Sequence, residues 1–509
     1  MSTTATQLSP APPEWEGVGL VKRTMWRAEG FVRRHRDFFI VLGLIALAAA
    51  LRMMMSRGLW LDEATSVAQA KMDFGRMLSY MRESDVHPPL HQIILWADIR
   101  LFGDSEFAVR LPSLVFGTAL VPVLYGLGRD MFGRTTGLIA ALIGAIGPAA
   151  VWYSQEARMY PLFMLLATLT IWAQLRAVRS GSWKAWLAYS IVTSALMWTH
   201  YFSALHVMVQ QLAFFALMWT KRGTPSLKPL FKGWLRSTLL IILLTAPVLV
   251  IPYAQFDNYG NRDTVTLQAN GAVEAGAPIY TAISNVASAM LGYHSAETMT
   301  QINALWPLGM LAALLALGRG RSRSTMLLAG LVVIPMAVLF VVGLERRDVF
   351  ELRYFAQAVP ALALLIARAI TLAARRKRTI AAGVIAVCVV LGLALYAEQT
   401  ADDNQRVYDF RSALTELNAQ QQPGDLLLYE PFYLHPTVHY YAPDFTSYPL
   451  VTGLESTTEP ERIIIVGSLE FAEREQSAER VQLVVDRLTQ DRELVQNTEK
   501  NNIEVWVFQ

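Results

Sequence analysis

The sequence predicts a polytopic α-helical membrane protein with a small C-terminal α/β domain. Three observations carry that expectation. The chain is 53% apolar and 17% charged, against about 25% charged residues in a soluble globular domain, and its mean hydropathy is +0.32. Uninterrupted apolar runs recur along most of its length, and Lys and Arg gather in alternate loops between them.

The apolar runs are about 17 to 21 residues long, enough to cross a hydrocarbon core about 30 Å thick. About eleven spans are expected on that criterion, near 38–56, 108–128, 135–152, 161–178, 184–200, 202–219, 237–254, 302–318, 325–343, 354–373 and 380–397. The first of them follows basic residues and ends near the small residues Ala48 to Ala50, a pattern shared with signal peptides. Here it is read as a retained span.

The net charge of +3 says little, because the distribution of charge decides orientation. Basic residues lie at Lys22 to Arg36, Arg129/Arg134, Arg176/Arg179/Lys184, Lys221 to Arg236, Arg319/Arg321/Arg323 and Arg375 to Arg378. By the positive-inside rule these loops face the cytoplasm. The other loops then lie outside, as does the C-terminal region. Residues 1–36 are read as a basic cytoplasmic tail, its Pro-, Thr- and Ser-rich start disordered. Residues 37–398 form the transmembrane domain, with long outside loops at 57–107 and 255–300, and residues 399–509 form an extracytoplasmic α/β domain. In that domain helices are expected at 409–420 and 472–489, and strands at 425–429, 463–467 and 503–508. The single cysteine, Cys388, excludes an internal disulfide and is read as a packing residue in a span.

A 50-residue outside loop is too long for a plain connector, which marks 57–107 as functional. Segment 62–82 reads as one or two short amphipathic helices. Residues 90–102 read as a juxtamembrane helix, because a span there would throw Arg129/Arg134 outside.

The outside loops hold the chemistry. Leu61-Asp62-Glu63 places two carboxylates at a lipid-water boundary, where charge is expensive. Neighbours diverge by about 100° on a helix, so one acid can face a reacting group while the other supports it or holds a cation. Helix capping by Asp62 is the competing reading. In Asp85-Val86-His87-Pro88-Pro89-Leu90, His87 is placed to meet a phosphate or a metal, although Pro-Pro at a helix start is also ordinary. Ser154-Gln155-Glu156-Ala157-Arg158-Met159-Tyr160 sits in a short turn between spans, where Glu156 and Arg158 either close the turn or stabilise negative charge. Thr199-His200-Tyr201-Phe202 marks another outside turn. Arg353-Tyr354 follows Glu345-Arg346-Arg347-Asp348, and positive charge on this side suits either ordinary headgroups or an anionic lipid phosphate. Together these groups imply a site for an anionic, lipid-borne substrate.

The combination Trp60-Leu61-Asp62-Glu63-Ala64, His87-Pro88-Pro89-Leu90, Ser154 to Tyr160, Thr199-His200-Tyr201 and Arg353-Tyr354 resembles bacterial members of the dolichyl-phosphate-mannose protein mannosyltransferase superfamily. These are GT-C fold glycosyltransferases related to the aminoarabinose transferases that modify lipid A. The resemblance covers roughly residues 35 to 440. It implies an inverting hexosyl- or pentosyltransferase of the bacterial inner membrane that moves one sugar from a polyprenyl-phosphate donor to an extracytoplasmic protein, lipid or glycan. On that analogy Asp62 is the general base, Glu63 supports it or binds a divalent cation with His87, and Glu156 is a second acid of the site. Arg158, Arg353, His87 and Tyr354 contact the donor phosphate, and Tyr160, His200 and Tyr201 contact sugar or acceptor. In one departure, His87 stands where the aminoarabinose transferases carry a lysine. No nucleic-acid partner is expected. A lipid-linked sugar flippase would place ionisable groups near span midpoints, whereas Asp, Glu and Lys are nearly missing from the span interiors. A noncatalytic envelope scaffold would leave the acid, histidine and arginine set without a role.

Overall fold

The computed structural model describes residues 35–259, 322–345, 352–375, 378–401, 409–453, 460–468, 475–500 and 503–509, except 56 and 86, with isolated positions between 291 and 320. Nearly all of the predicted tail, the 255–300 loop beyond residue 259 and the 302–318 span lie outside the described residues.

Each remaining predicted span coincides with helix. These are α1 (Arg36–Met53), α5 (Glu106–Phe132), the pair α6 (Arg134–Ile146) and α7 (Pro148–Ser154), α8 (Tyr160–Ser180), α9 (Trp183–Met197), α10 (Ser203–Thr220), α11 (Leu227–Tyr259) and α12 (Arg323–Glu345). A 3-10 turn (Leu352–Ala358) then leads into α13 (Val359–Ala374), followed by α14 (Arg378–Gln399). Six of the described helices are long and apolar enough to cross a membrane, and the bent pair α6 and α7 would make a seventh. The chain is a multi-pass membrane protein. Large apolar side chains such as Leu239, Ile242 and Leu243 on α11 and Val387, Val390 and Leu391 on α14 are exposed on its outer surface, where lipid is as good a solvent as protein.

The predicted 135–152 span is not straight. It bends by 52° between α6 and α7, where Gly147 precedes Pro148 at the first turn of α7. A proline in that position lacks the N–H that would continue the ladder. The carbonyls freed by the break are taken by Arg52, whose guanidinium is fully buried. It donates to Gly144 O at 2.9 Å, Ala145 O at 3.0 Å and Ala48 O at 3.1 Å, and to Ser154 Oγ at 3.1 Å. The bend aims the turn Gln155 to Met159 back toward the first long loop.

α5 and α6 meet backbone to backbone. A Cβ at Gly128 would lie 2.8 Å from the Gly137 Cα, and one at Gly137 would lie 2.5 Å from Tyr125 O, so only glycine lets the helices approach this closely.

Between α1 and α5 the first long loop folds into α2 (Leu61–Lys71), α3 (Phe74–Ser84) and α4 (Leu90–Phe102). The first two are the amphipathic pair expected at 62–82, and α4 is the juxtamembrane helix expected at 90–102.

The C-terminal region contains α15 (Phe410–Ala419), β1 (Asp425–Glu430), α16 (His435–Tyr441), β2 (Thr446–Pro449), β3 (Arg462–Ser468), α17 (Glu475–Asp491), β4 (Leu494–Lys500) and β5 (Ile503–Phe508). The sheet order is β2-β1-β3-β5-β4, with β1 parallel to β2 and β3, and β5 antiparallel to β3 and β4. β2, β4 and α16 were not expected from the sequence. Both missed strands are sheet edges, and edge strands carry polar, exposed side chains instead of an apolar run. One face of this sheet shares a core with the first long loop and the head of α5: Phe410, Leu414, Leu427 and Val438 pack in one cluster with Leu59, Val67 and Leu95 of the loop and Val109 of α5.

Replacing Gly137 with valine should lower the thermal unfolding midpoint in detergent, because overpacking against backbone costs about 1–3 kcal/mol. Gly43, where an added Cβ meets nothing within 4 Å, is the control, and Gly43→Val should shift the midpoint far less.

Candidate active site

α2 begins the site. Its N-cap is Trp60, and the Glu63 carboxylate reaches back to accept from Trp60 N at 3.3 Å. The helix start is therefore served by Glu63, and Asp62, inside the first turn, faces elsewhere. The two neighbouring acids have separate tasks.

Glu63 is buried in a fork with Arg110 of α5, with side chains 1% and 3% exposed. Arg110 donates from Nε to Oε1 and from Nη2 to Oε2, both at 2.7 Å. Its remaining protons reach Arg57 O and Gly58 O at 2.8 Å, and Glu63 Oε1 also accepts from Ala157 N at 2.7 Å. The fork ties the chain before α2, the start of α5 and the turn after α7 into one unit.

The Asp62 side chain is 25% exposed. Its Oδ2 accepts from Arg353 Nη1 at 2.7 Å, and Arg158 Nη2 lies 3.5 Å from the same oxygen. Arg158 is also fixed by a 3.0 Å bond from Nη1 to Ser66 Oγ. Burial pushes the Asp62 carboxyl up, but Arg158, then Arg353 and His87, outweigh it and hold it below the usual carboxylate range.

Asp85 lies at the C-cap of α3. Its Oδ1 accepts from His87 N at 2.8 Å and lies 2.9 Å from His87 Nδ1, while Oδ2 accepts from Gln69 at 2.9 Å. Burial raises its carboxyl, yet the His87 hydrogen bond and charge hold it at about 2. A small cleft beside Asp85 is lined by Ser66, Asp85, His87, His91, Gln92 and Arg158 among others.

An aromatic group closes the site from the α9–α10 side. The His200 ring stacks on Phe163 at 4.8 Å and meets Tyr354 edge-on at 5.6 Å and His87 edge-on at 5.8 Å. Tyr354 also lies 4.7 Å from Phe202, and Tyr160 lies 5.9 Å from the Arg158 guanidinium. Burial holds the His200 imidazole well below its ordinary range, so it is neutral at pH 7. Trp60 Nε1, Arg158 Nε, His200 Nε2 and the Tyr201 hydroxyl are buried with no hydrogen-bond partner among the described residues. Buried polar atoms left unpaired call for an explanation, and at these four a polar ligand would supply one, although others, such as those of Thr193, Ser194 and Thr437, lie elsewhere in the protein.

The structure thus gathers Asp62, Arg158, Arg353, His87, His200 and Tyr354. Glu156 faces a different neighbourhood, near Glu63, Trp152 and Arg57, and the Arg57 guanidinium lies 3.5 Å over the Trp152 ring. Burial, followed by the Glu63 charge, pushes the Glu156 carboxyl up to about 8. It is mostly protonated at pH 7. For the expected cation, Glu63 offers little, because both of its oxygens already accept hydrogen bonds. Among the described residues no three His, Cys, Asp or Glu side chains converge where a metal ion could sit.

Sequence reasoning missed Asp85 and Arg110 as site residues. Asp85 carried a readable signal, since an Asp two positions before a His can bond both its backbone N–H and its ring. Arg110 carried none, being a lone basic residue at the head of an apolar run.

Residues 86–251 match the family model described as dolichyl-phosphate-mannose-protein mannosyltransferase. YkcB of Bacillus subtilis (strain 168), to which mannosyltransferase activity is provisionally ascribed, is 26% identical over 165 residues, spanning 29% of this chain and 22% of that protein. ArnT from Cupriavidus metallidurans superposes with a TM-score of 0.57 at 13% identity, covering 94% of this chain and 98% of that one. An oligosaccharyltransferase from Archaeoglobus fulgidus superposes with a TM-score of 0.51 at 11% identity, covering 85% and 68%. The fold is of the GT-C type. The resemblance read from the motifs is borne out by the family match over residues 86–251 and by the shared fold.

Two outcomes are expected. Arg110→Met should destabilise the protein by about 3–5 kcal/mol, since it strands a buried carboxylate, and Glu63→Gln in the same chain should recover part of the loss in denaturant unfolding. Because the folded state keeps Glu156 protonated up to about pH 8 against an ordinary 4.5, stability should fall as pH rises through that window. Glu156→Gln should flatten the fall in a pH series of melting temperatures.

Proposed function

We propose that the protein is an inverting membrane glycosyltransferase that moves one sugar from a polyprenyl-phosphate donor to a hydroxyl on an extracytoplasmic acceptor. One observation carries the proposal: a single carboxylate, Asp62, is held by two guanidinium groups, Arg353 and Arg158, at the loop face of a GT-C fold. A lipid phosphate on a sugar presents the anion those guanidiniums would bind, and an acceptor hydroxyl presents the proton the carboxylate would take. A Cupriavidus metallidurans ArnT structure of the same fold is bound to undecaprenyl phosphate, with a TM-score of 0.54, which supports a polyprenyl carrier. The distribution of Lys and Arg supports an extracytoplasmic site in the bacterial inner membrane.

In the proposed reaction the donor phosphate draws protons of Arg353 and Arg158 away from Asp62. The carboxylate loses part of the charge that holds it ionised and becomes a better base toward the acceptor hydroxyl. The hydroxyl oxygen bonds to the anomeric carbon as the bond to the phosphate oxygen breaks on the opposite face, and the leaving phosphate keeps its electron pair against the guanidiniums. His87, oriented through Nδ1 by Asp85, and the rings of His200 and Tyr354 are placed to contact donor and sugar.

Sugar release from labelled polyprenyl-phosphate monosaccharides, with membrane extract supplying acceptor, tests this reading. Wild type should release one sugar of the panel. Asp62→Asn should fold normally and lose at least about 100-fold of the rate, because an amide cannot take the proton. Arg353→Ala should raise the donor KM about ten- to a hundredfold, the range for losing a charge-assisted contact. Full turnover by both variants would remove the site assignment.

A further inference from the structure

We infer that Tyr441, carried by the C-terminal domain, is a positioning residue for the catalytic loop, acting on Asp62 through the backbone of Gly58 and Leu59. The catalytic part of this inference rests on the function proposed above. The geometry does not.

The segment just before α2 makes no regular structure, so its polar backbone groups need partners from elsewhere. On one side Arg110 holds the carbonyls of Arg57 and Gly58. On the other side Tyr441 holds the amide: Leu59 N donates to Tyr441 Oη at 2.5 Å, and the same hydroxyl donates to Glu106 Oε1 at 2.6 Å. Glu106 is fixed in turn by Arg411 of α15, whose Nε donates to Oε1 at 2.8 Å. The Leu59 side chain is fully buried in the core shared with the C-terminal sheet. Approach at Gly58 is so close that an added Cβ would lie 3.0 Å from both the Tyr441 hydroxyl and the Arg411 Cβ.

Asp62 lies three residues beyond Leu59, in the first turn of α2, so rotation of the Gly58-Leu59 peptide would swing its carboxylate relative to Arg353. Arg353 is carried by the 3-10 turn before α13 and would not follow, whereas Arg158 is tied to α2 through Ser66. A displacement of about 1 Å at such a point can cost about a hundredfold in rate. The C-terminal domain is thereby mechanically part of the catalytic site without touching it.

The test compares Tyr441→Phe with Tyr440→Phe in the full-length chain. Tyr440 belongs to the same interface and its ring packs edge-on against Tyr441, but its hydroxyl donates to Asp104 O at 2.7 Å instead of meeting the segment before α2. Amide hydrogen exchange over residues 57–63 should speed up about tenfold in Tyr441→Phe and stay at the wild-type rate in Tyr440→Phe. Glu106→Gln, which weakens the hold on the Tyr441 hydroxyl, should produce a smaller rise. In the sugar-release assay Tyr441→Phe should lower kcat about ten- to a hundredfold with donor KM within about threefold of wild type. A merely structural tyrosine would lower the melting temperature and leave the kcat of the folded fraction unchanged. Unchanged exchange in Tyr441→Phe overturns the inference whatever the activity. Faster exchange with wild-type kcat overturns its catalytic part. Faster exchange in a chain whose wild type releases no sugar keeps the positioning contact and removes the proposed function instead.

Discussion

The arrangement around Asp62 depends on the buried fork between Glu63 and Arg110. A carboxylate and a guanidinium almost fully removed from water are stable only if nearly every donor and acceptor is satisfied, since desolvating two charges costs several kcal/mol per ion. Here Arg110 serves two carboxylate oxygens and two backbone carbonyls, and Glu63 accepts from two backbone amides besides. The value of such a pair lies in geometry more than in stability. It joins three stretches distant in sequence, the approach to α2, the head of α5 and the turn before α8, so that Asp62 and Arg158 leave the same rigid knot on adjacent sides.

That knot explains why the two acids sit side by side in sequence. Successive residues on a helix diverge by about 100°, so anchoring Glu63 inward turns Asp62 outward toward Arg158 and Arg353. A free carboxylate between two guanidiniums is a poor base, being held in its ionised form below the usual range. On the proposed reaction that is useful. The carboxylate keeps the cationic site from closing on itself, and an anionic donor exchanges one counterion for another with little net desolvation.

Much of the fold was legible because a bilayer makes strong demands on sequence. Apolar runs and loop charge located the spans, the short amphipathic helices α2 and α3, and the juxtamembrane α4. The bend at Gly147 was missed although the Gly147-Pro148 pair is a readable break signal, because the apolar run continues across it and its partner Arg52 reads as a flanking charge. In the C-terminal domain the buried strands β1, β3 and β5 showed as apolar runs, while the edge strands β2 and β4 did not. The site was legible where a charge opposed its surroundings, as at Asp62, Arg158 and Arg353. Arg110 and Tyr441 stayed invisible, because an arginine at the head of a span and a tyrosine near the end of a short helix are ordinary in those places. Their importance comes from partners 47 and 382 positions away.

The distribution of buried charge among the described residues favours the proposed transferase over a carrier. A transporter has to let charge cross the bilayer midplane and places ionisable groups along that route. In the described bundle the buried ion pairs lie at one end, around Asp62, Glu63, Asp85, Arg110, Arg158 and Arg353, more exposed pairs (Asp37–Arg134 and Asp130–Arg176) lie at the other, and Arg52 is spent on backbone carbonyls and Ser154. The core between the spans is largely apolar, built from residues such as Leu124, Phe163, Met164 and Leu364, and its buried polar network of Thr170, Gln174, His206 and Gln210 carries no carboxylate, lysine or arginine. On the proposed function, a headgroup bound between Arg158 and Arg353 would sit at this end of the bundle, with its lipid tail free to lie against the apolar outer surface.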